Sequence, residues 1–160
     1  VRRGGPPRPL AEIAQRAEEI DMGVVCGFAD RYVPLFGDLA YLGYHGKLWH
    51  APLGEEPYVV YEKLGPFAPP LEFVVATTGV QRNSGEVHAP MRARYLAERR
   101  AGSGPLLELA RRIGETAWRG KALLLAGDLG GLGQQIDRNQ SLGDELMRLC
   151  GFRDGAGSEV

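Results

Sequence analysis

A chain of 160 residues with 44% hydrophobic and 24% charged residues has ordinary globular composition, enough to bury a core in one domain or two small ones. Its net charge of −1 gives no basic excess for a nucleic-acid partner, and no apolar run reaches membrane-spanning length. Cys26 and Cys150 stand far apart with no Cys-x-x-Cys spacing, which argues against zinc and against a disulfide framework, and for a reducing, cytoplasmic setting.

The opening VRRGGPPRPL holds no apolar run for a signal peptide, and the missing initial Met suits a processed or incomplete chain. Next, PLAEIAQRAEEIDMG places Leu10, Ile13, Ala14, Ala17 and Ile20 at helical spacing, with Pro9 in the first turn and Gly23 as the stop. DLAYLGY and KLWHAPL alternate weakly around His45-Gly46 and predict a β-hairpin. PFAPP at 66–70 is a stiff break, and LEFVVATT at 71–78 is the clearest strand, a β-branched apolar run ended by Gly79.

Beyond it the composition turns helical. EVHAPMRARYLAERRAG predicts a helix with Pro90 near its start. GPLLELARRIGETAWRGKALLLAG puts Leu106, Leu109, Ala110, Ile113 and Ala117 on one face. Gly127-Asp128 separates it from a last helix carrying Leu132, Ile136, Leu146 and Leu149. No period recurs, which excludes a solenoid. The order predicts mixed α/β layers, α/β or α+β, cut at the Pro-rich break into unequal parts at 1–68 and 71–160.

Two stretches could carry chemistry. In VVCGFADRYVPLFGD, Asp30 is an acid in a segment that otherwise reads as interior. It could cap a helix over about residues 30–36, or act as a general base in a dry cleft at a helix N-terminus, where free N–H groups also attract phosphate. In ATTGVQRNSGEVHAPMRARY, a strand end leads into a helix start, a common ligand position in layered α/β proteins. There Arg82 could pair with an anionic group, Ser84 could cap the helix, and the Thr77 and Thr78 hydroxyls could meet a sugar. Taken alone, that stretch reads as a capped surface turn.

Weaker signals have plainer readings. His45, His50 and His88 lack metal-ligand spacing. GDLGGLGQQ has no preceding strand and reads as a turn between helices. Arg92, Arg94, Arg99 and Arg100 read as a solvated helix face, and Trp118 with Leu123–Leu125 as core. The sequon NQS at 139–141 is a chance match.

Together these segments resemble the GHMP small-molecule kinases (the galactokinase, homoserine kinase and mevalonate kinase superfamily). CGFADRYVPLFGDLAYL is similar to that family's Cys-Gly-x-x-Asp-Gln/Arg-Tyr segment. TTGVQRNSGEVHAPMRARYL resembles the Thr-Gly-Val segment of its sugar-kinase branch, near heptose-phosphate kinases and glucuronokinases. GDLGGLGQQIDRNQSLGDEL resembles its later helix, Gly-x-Leu-x-x-Leu-x-x-x-Asn-x-x-His/Gln, and Asp38 stands where Phe-Gly-Gly usually has its second Gly.

The resemblance implies the tail of an S5-like N-terminal domain followed by a ferredoxin-like α/β C-terminal domain with several helices. It implies ATP-dependent phosphoryl transfer, with Mg²⁺, to a hydroxyl of a sugar or sugar derivative. Asp30 matches the catalytic base, and Thr78, Gly79, Arg82 and Ser84 match the turn that lines the sugar pocket. The family's Pro-x-x-x-Gly-Leu-x-Ser-Ser ATP loop and its Gly-Ala-Gly-rich motif are not in these residues, so the chain resembles the middle of such a kinase and is expected to be inactive alone. The alternatives are a non-catalytic small-molecule binding module of the same fold and a structural fragment in which Asp30 is a cap.

Overall fold

The structure, a computed structural model, describes residues 7–47, 55–77, 79 and 84–152. It is mixed helix and sheet, broadly α+β, with helix in large excess. Two compact units, Val1–Phe67 and Ala68–Val160, meet inside the Pro-Phe-Ala-Pro-Pro segment.

In the first unit, helix α1 (Pro7–Arg16) runs on into a π-helical turn, Ala17–Asp21. Gly23, at φ 70, ends it and lets the Val24 N–H reach back to the Glu18 carbonyl at 3.0 Å. The buried face of α1 is polar: Ala11, Glu12 and Gln15 are inside, while Leu10, Ile13 and Ile20 are exposed. That face is polar because it bonds the chain that follows. Gln15 Nε2 donates to the Cys26 carbonyl at 3.3 Å, and Cys26 Sγ lies 3.8 Å from the Gln15 carbonyl.

Helix α2 (Ala29–Phe36) then presents Phe28, Tyr32 and Phe36 at i, i+4, i+8 spacing. Tyr32 and Phe36 stack on each other at 5.7 Å between centroids, and Phe36 stacks on Tyr61 at 4.9 Å. With Ala11, Val59 and Leu42 they form the core of this unit.

The hairpin expected between DLAYLGY and KLWHAPL is described only in its first arm and at Lys47. Strand β1 (Ala40–Gly43) pairs antiparallel with β2 (Val60–Lys63), in the register Ala40↔Lys63 to Gly43↔Val60. Tyr61, on β2, packs into the core and donates to the Gly37 carbonyl at 2.8 Å. Lys47, at the start of the expected return strand, has its side chain buried. Most of that return strand, 48–53, lies outside the described residues.

Between α2 and β1, Asp38 holds φ 77, a conformation that favours glycine and that Asp tolerates better than most residues. Its Oδ1 accepts from the Leu39 N–H at 2.6 Å, and the carboxylate packs against Gly65. A Cβ on Gly65 would come within 2.8 Å of Asp38 Cγ and closer still to its Oδ1.

In the second unit, residues 71–77 carry no regular secondary structure and pair with nothing among the described residues, and Val74 is 98% exposed. The strand expected there has the right residues and no partner, and a strand without a partner has no ladder to stabilise it. Helices α3 (Ser84–Ala101), α4 (Pro105–Leu125) and α5 (Leu129–Leu149) follow, with α4 and α5 antiparallel. Gly120 permits close approach, since a Cβ there would lie 3.4 Å from Leu132 Cδ1. Asn139 Nδ2 donates to Thr116 Oγ1 at 2.7 Å, and Thr116 donates onward to the Ile113 carbonyl.

The arginines of α3 are not one solvated face. Arg99 and Arg100 are exposed, but Arg92 is buried. Arg94 binds Glu98 Oε1 at 2.9 Å and also donates to the Leu149 carbonyl at the end of α5. Glu98 in turn accepts from the Leu107 N–H at 2.9 Å, at the start of α4, whose N-cap Gly104 offers no side chain. One ion pair on α3 thus places an anion at a helix N-terminus and a cation at a helix C-terminus, each favoured by the dipole. Trp118 lies outside the core, exposed, with Lys121 Nζ 5.0 Å above its ring.

Two outcomes follow from these contacts. Gly65→Ala forces the Asp38 carboxylate off the Leu39 N–H and costs about 1 kcal/mol, the usual worth of one hydrogen bond. In an Asp38→Gly background the same change is close to neutral; equal costs in both backgrounds, measured by denaturant unfolding, contradict the packing described. For Glu98, burial pushes its carboxyl up, but the Arg94 hydrogen bond, the Leu107 and Leu106 N–H groups and the Arg94 charge together hold it below the ordinary glutamate value. A depressed folded pKa contributes stability above the unfolded value of about 4.3 and loses it as pH falls through the folded value. The melting-temperature gap between wild type and Glu98→Gln is therefore widest near neutrality and closes in acid.

Candidate functional site

Asp30 sits in the first turn of α2, but not as its cap. The N-cap is Phe28, which gives no side-chain hydrogen bond, and the Asp30 carboxylate accepts from no backbone N–H among the described residues. Nor does it lie in a closed cleft: its side chain is 80% exposed. The helix explains this. Phe28 and Tyr32, two residues to either side, are both buried, so the residue between them points to the opposite face. Val33 and Leu35 share in that exposure, so the segment is amphipathic and not interior throughout.

The inward anchors are strong. The Tyr32 hydroxyl donates to Glu12 Oε1 at 2.6 Å. Lys47 Nζ lies 2.7 Å from Glu12 Oε2, 3.6 Å from Glu56 Oε2 and 4.3 Å from the centre of the Phe28 ring. It also donates to the Pro57 carbonyl at 3.3 Å. These contacts fix the helix that carries Asp30.

On the outward side, Arg31 Nη1 donates to Asp30 Oδ2 at 3.2 Å, and its Nη2 pairs with Glu18 on the π-helical turn. The Arg31 side chain is only 13% exposed, against 80% for Asp30. The Asp30 charge also reaches Tyr44, whose phenol is raised above its ordinary value, first by burial and then by that charge. Sequence reasoning singled out Asp30 and missed Glu18, Arg31 and Tyr44. Glu18 and Arg31 stand too far apart for any helical spacing to signal their pairing.

The second predicted site is described only in part. Thr78 and Arg82 lie outside the described residues, as does the proposed strand end at 78. Gly79 is exposed, at φ 71, and Ser84 is the first residue of α3. Asp30 belongs to the first unit, and Gly79 and Ser84 to the second. The glycine run GDLGGLGQQ is the start of α5: Asp128 caps it, accepting from the Gly131 N–H at 2.8 Å, so the carboxylate fills the place an anion would take. In the second unit an apolar groove of about 490 Å³ runs between Leu71, Phe73 and Pro70 on one side and Leu129, Leu132 and Ile136 on the other. Glu72 is its sole charged lining residue, which suits apolar contact and not a phosphate.

His45 and His88 are exposed, and His50 lies outside the described residues. Among the described residues no three His, Cys, Asp or Glu side chains converge to hold a metal ion, and no helix is long and apolar enough to cross a membrane. No protein-family model, curated protein or solved structure matches the chain.

The Asp30–Tyr44 proximity has a direct readout. Asp30→Asn removes a negative charge, so the Tyr44 phenol becomes easier to ionise and its titration midpoint falls. A midpoint unmoved by the substitution, followed by NMR of the Tyr44 ring, places the two groups farther apart than described.

Proposed function

We propose that this chain carries the acceptor side of an ATP-dependent sugar kinase of the GHMP type, transferring a phosphoryl group to a hydroxyl of a sugar or sugar derivative. One observation carries the reading: Asp30, in the segment that resembles the family's Asp-bearing motif, presents an accessible carboxylate from a helix locked on its other face. Asp38 adds support, because it adopts a left-handed backbone where that family usually has glycine.

In the proposed step, Asp30 accepts the proton of the sugar hydroxyl as that oxygen attacks the γ-phosphorus. The new O–P bond forms as the bond to the ADP oxygen breaks, and ADP leaves with the electron pair. Such transfers depend on positioning and charge stabilisation, and a carboxylate within hydrogen-bond reach supplies both orientation and basicity. Mg²⁺ in this chemistry would be held mainly by the phosphates, with one or two oxygen ligands from the protein. Thr78, Gly79, Arg82 and Ser84 would contact the sugar, Arg82 through an anionic substituent. The S5-like and ferredoxin-like domains belong to the same proposal, and the latter would take Leu71–Thr77 into its sheet.

A second reading, a binding module of the same fold without catalysis, is favoured by the fate of the glycine run, which is spent on starting α5. Asp30→Asn separates the two, because it preserves side-chain shape and removes the base. In the enzyme complete with its phosphate loop, the substitution lowers kcat by about 10²–10⁴-fold and leaves nucleotide KM unchanged. Full turnover of a sugar panel by the Asn variant removes Asp30 from the chemistry.

A further inference from the structure

The Asp30 carboxylate is exposed, and an exposed aspartate ordinarily samples several rotamers. Here one of its oxygens is engaged and the other is not. Oδ2 accepts from Arg31 Nη1 at 3.2 Å, while Oδ1 has no hydrogen-bond donor among the described residues. The guanidinium that holds Oδ2 is itself largely buried and held from behind by Glu18. Glu18 is fixed in its turn: it lies in the π-helical turn, and its carbonyl takes the Val24 N–H that Gly23 makes available. π-Helical turns are rare, and those inside α-helices are frequent at functional sites.

We infer that Glu18 and Arg31 are positioning residues for Asp30, holding its carboxylate in one orientation with Oδ1 directed to an incoming hydroxyl. The inference rests on the reading of Asp30 as the base that meets the acceptor. A planar guanidinium suits the task, because its fork can bond two carboxylates at once, whereas an ammonium on a flexible stem cannot fix both. The buried Arg31 is then not available as an anion-binding group for the substrate, since both sides of its fork are occupied by this chain's own carboxylates. The arrangement supplies orientation at an exposed site, where water would otherwise let the carboxylate turn. Misplacement of a reacting group by about 1 Å can cost on the order of 10²-fold in rate.

The test has two readouts. On the full 160-residue chain, three-bond couplings of the Asp30 β-methylene protons report its rotamer. The expected result is one rotamer in wild type, and averaging in Arg31→Met and Glu18→Gln, with Arg31→Lys between. An averaged Asp30 in wild type, or a single rotamer that survives both Arg31→Met and Glu18→Gln, overturns the inference. In the phosphoryl-transferring enzyme, Arg31→Met and Glu18→Gln lower kcat by about 10–10²-fold while KM for sugar stays within about twofold. A loss confined to melting temperature, with kcat of the folded protein unchanged, marks a purely structural pair and overturns it too. Asp30→Asn keeps the two failures apart. If that variant turns over fully, the base reading falls; if it is impaired and the Arg31 and Glu18 variants are not, the positioning role alone falls.

Discussion

Lys47 carries an ammonium to a place where 2% of its side chain meets solvent, and the first unit is organised around that charge. Removing an ion from water costs several kcal/mol unless partners replace the lost hydration. The chain supplies them from three segments: Glu12 on α1, Glu56 and the Pro57 carbonyl before β2, and the face of Phe28 before α2. Glu12 is shared, since its second oxygen takes the Tyr32 hydroxyl. A single buried pair therefore ties together α1, α2, the turn after β1 and the approach to β2. Buried pairs of this kind add little net stability over an apolar core, yet losing one partner costs about 3–5 kcal/mol. The pair also constrains geometry, since Glu12, Lys47 and Tyr32 meet only when their segments are brought together.

The candidate site inherits its geometry from that network. Phe28 and Tyr32 are held inward by the ammonium and by Glu12, and the residue between them must then face out. Asp30 is exposed for that reason, and the first turn of a helix favours its negative charge. The Glu18–Arg31 pair works from the opposite face of the same segment. Gly23 and the π-helical turn set where Glu18 stands, so an irregularity in α1 governs a side chain on α2. The second unit uses its polar groups differently. Arg94 and Glu98 satisfy orphan groups at two helix ends, and Thr116 with Asn139 fills the middle of the α4–α5 contact without an apolar pair.

Periodicity made α4 and α5 legible, together with the Gly127-Asp128 turn, because their period of 3.6 persists over many turns; α3 was legible from its helix-forming composition and the Pro90 near its start. It failed where burial is polar. The apolar residues of α1 mark a face that is exposed, while Glu12 and Gln15 occupy the inside; no hydrophobic pattern announces a buried glutamate whose partner is Lys47. The pairing of β1 with β2 was not legible for a related reason: VVYEKL alternates only weakly, and its place is fixed by Tyr61 bonding the distant Gly37 carbonyl. LEFVVATT reads as a strand from its residues, but pairing depends on a neighbour that no local pattern specifies. Asp30 was legible as unusual, and its exposure was not, because Val33 and Leu35 made an amphipathic helix look interior. Asp38 holds φ 77, a backbone conformation that an aspartate in the sequence does not announce.

The central claim is that the Glu12–Lys47 pair holds α2 in place and so presents Asp30. Amide hydrogen exchange along α2 in Lys47→Met, compared with wild type, tests it most directly. Leaving Glu12 buried without its cation should cost about 3–5 kcal/mol. The Tyr32, Val33 and Phe36 amides should then exchange on the order of 10²–10³-fold faster, to the extent that their exchange follows opening of the first unit. Protection of those amides unchanged in Lys47→Met would show that α2 is held by its aromatic contacts alone, and would contradict the account.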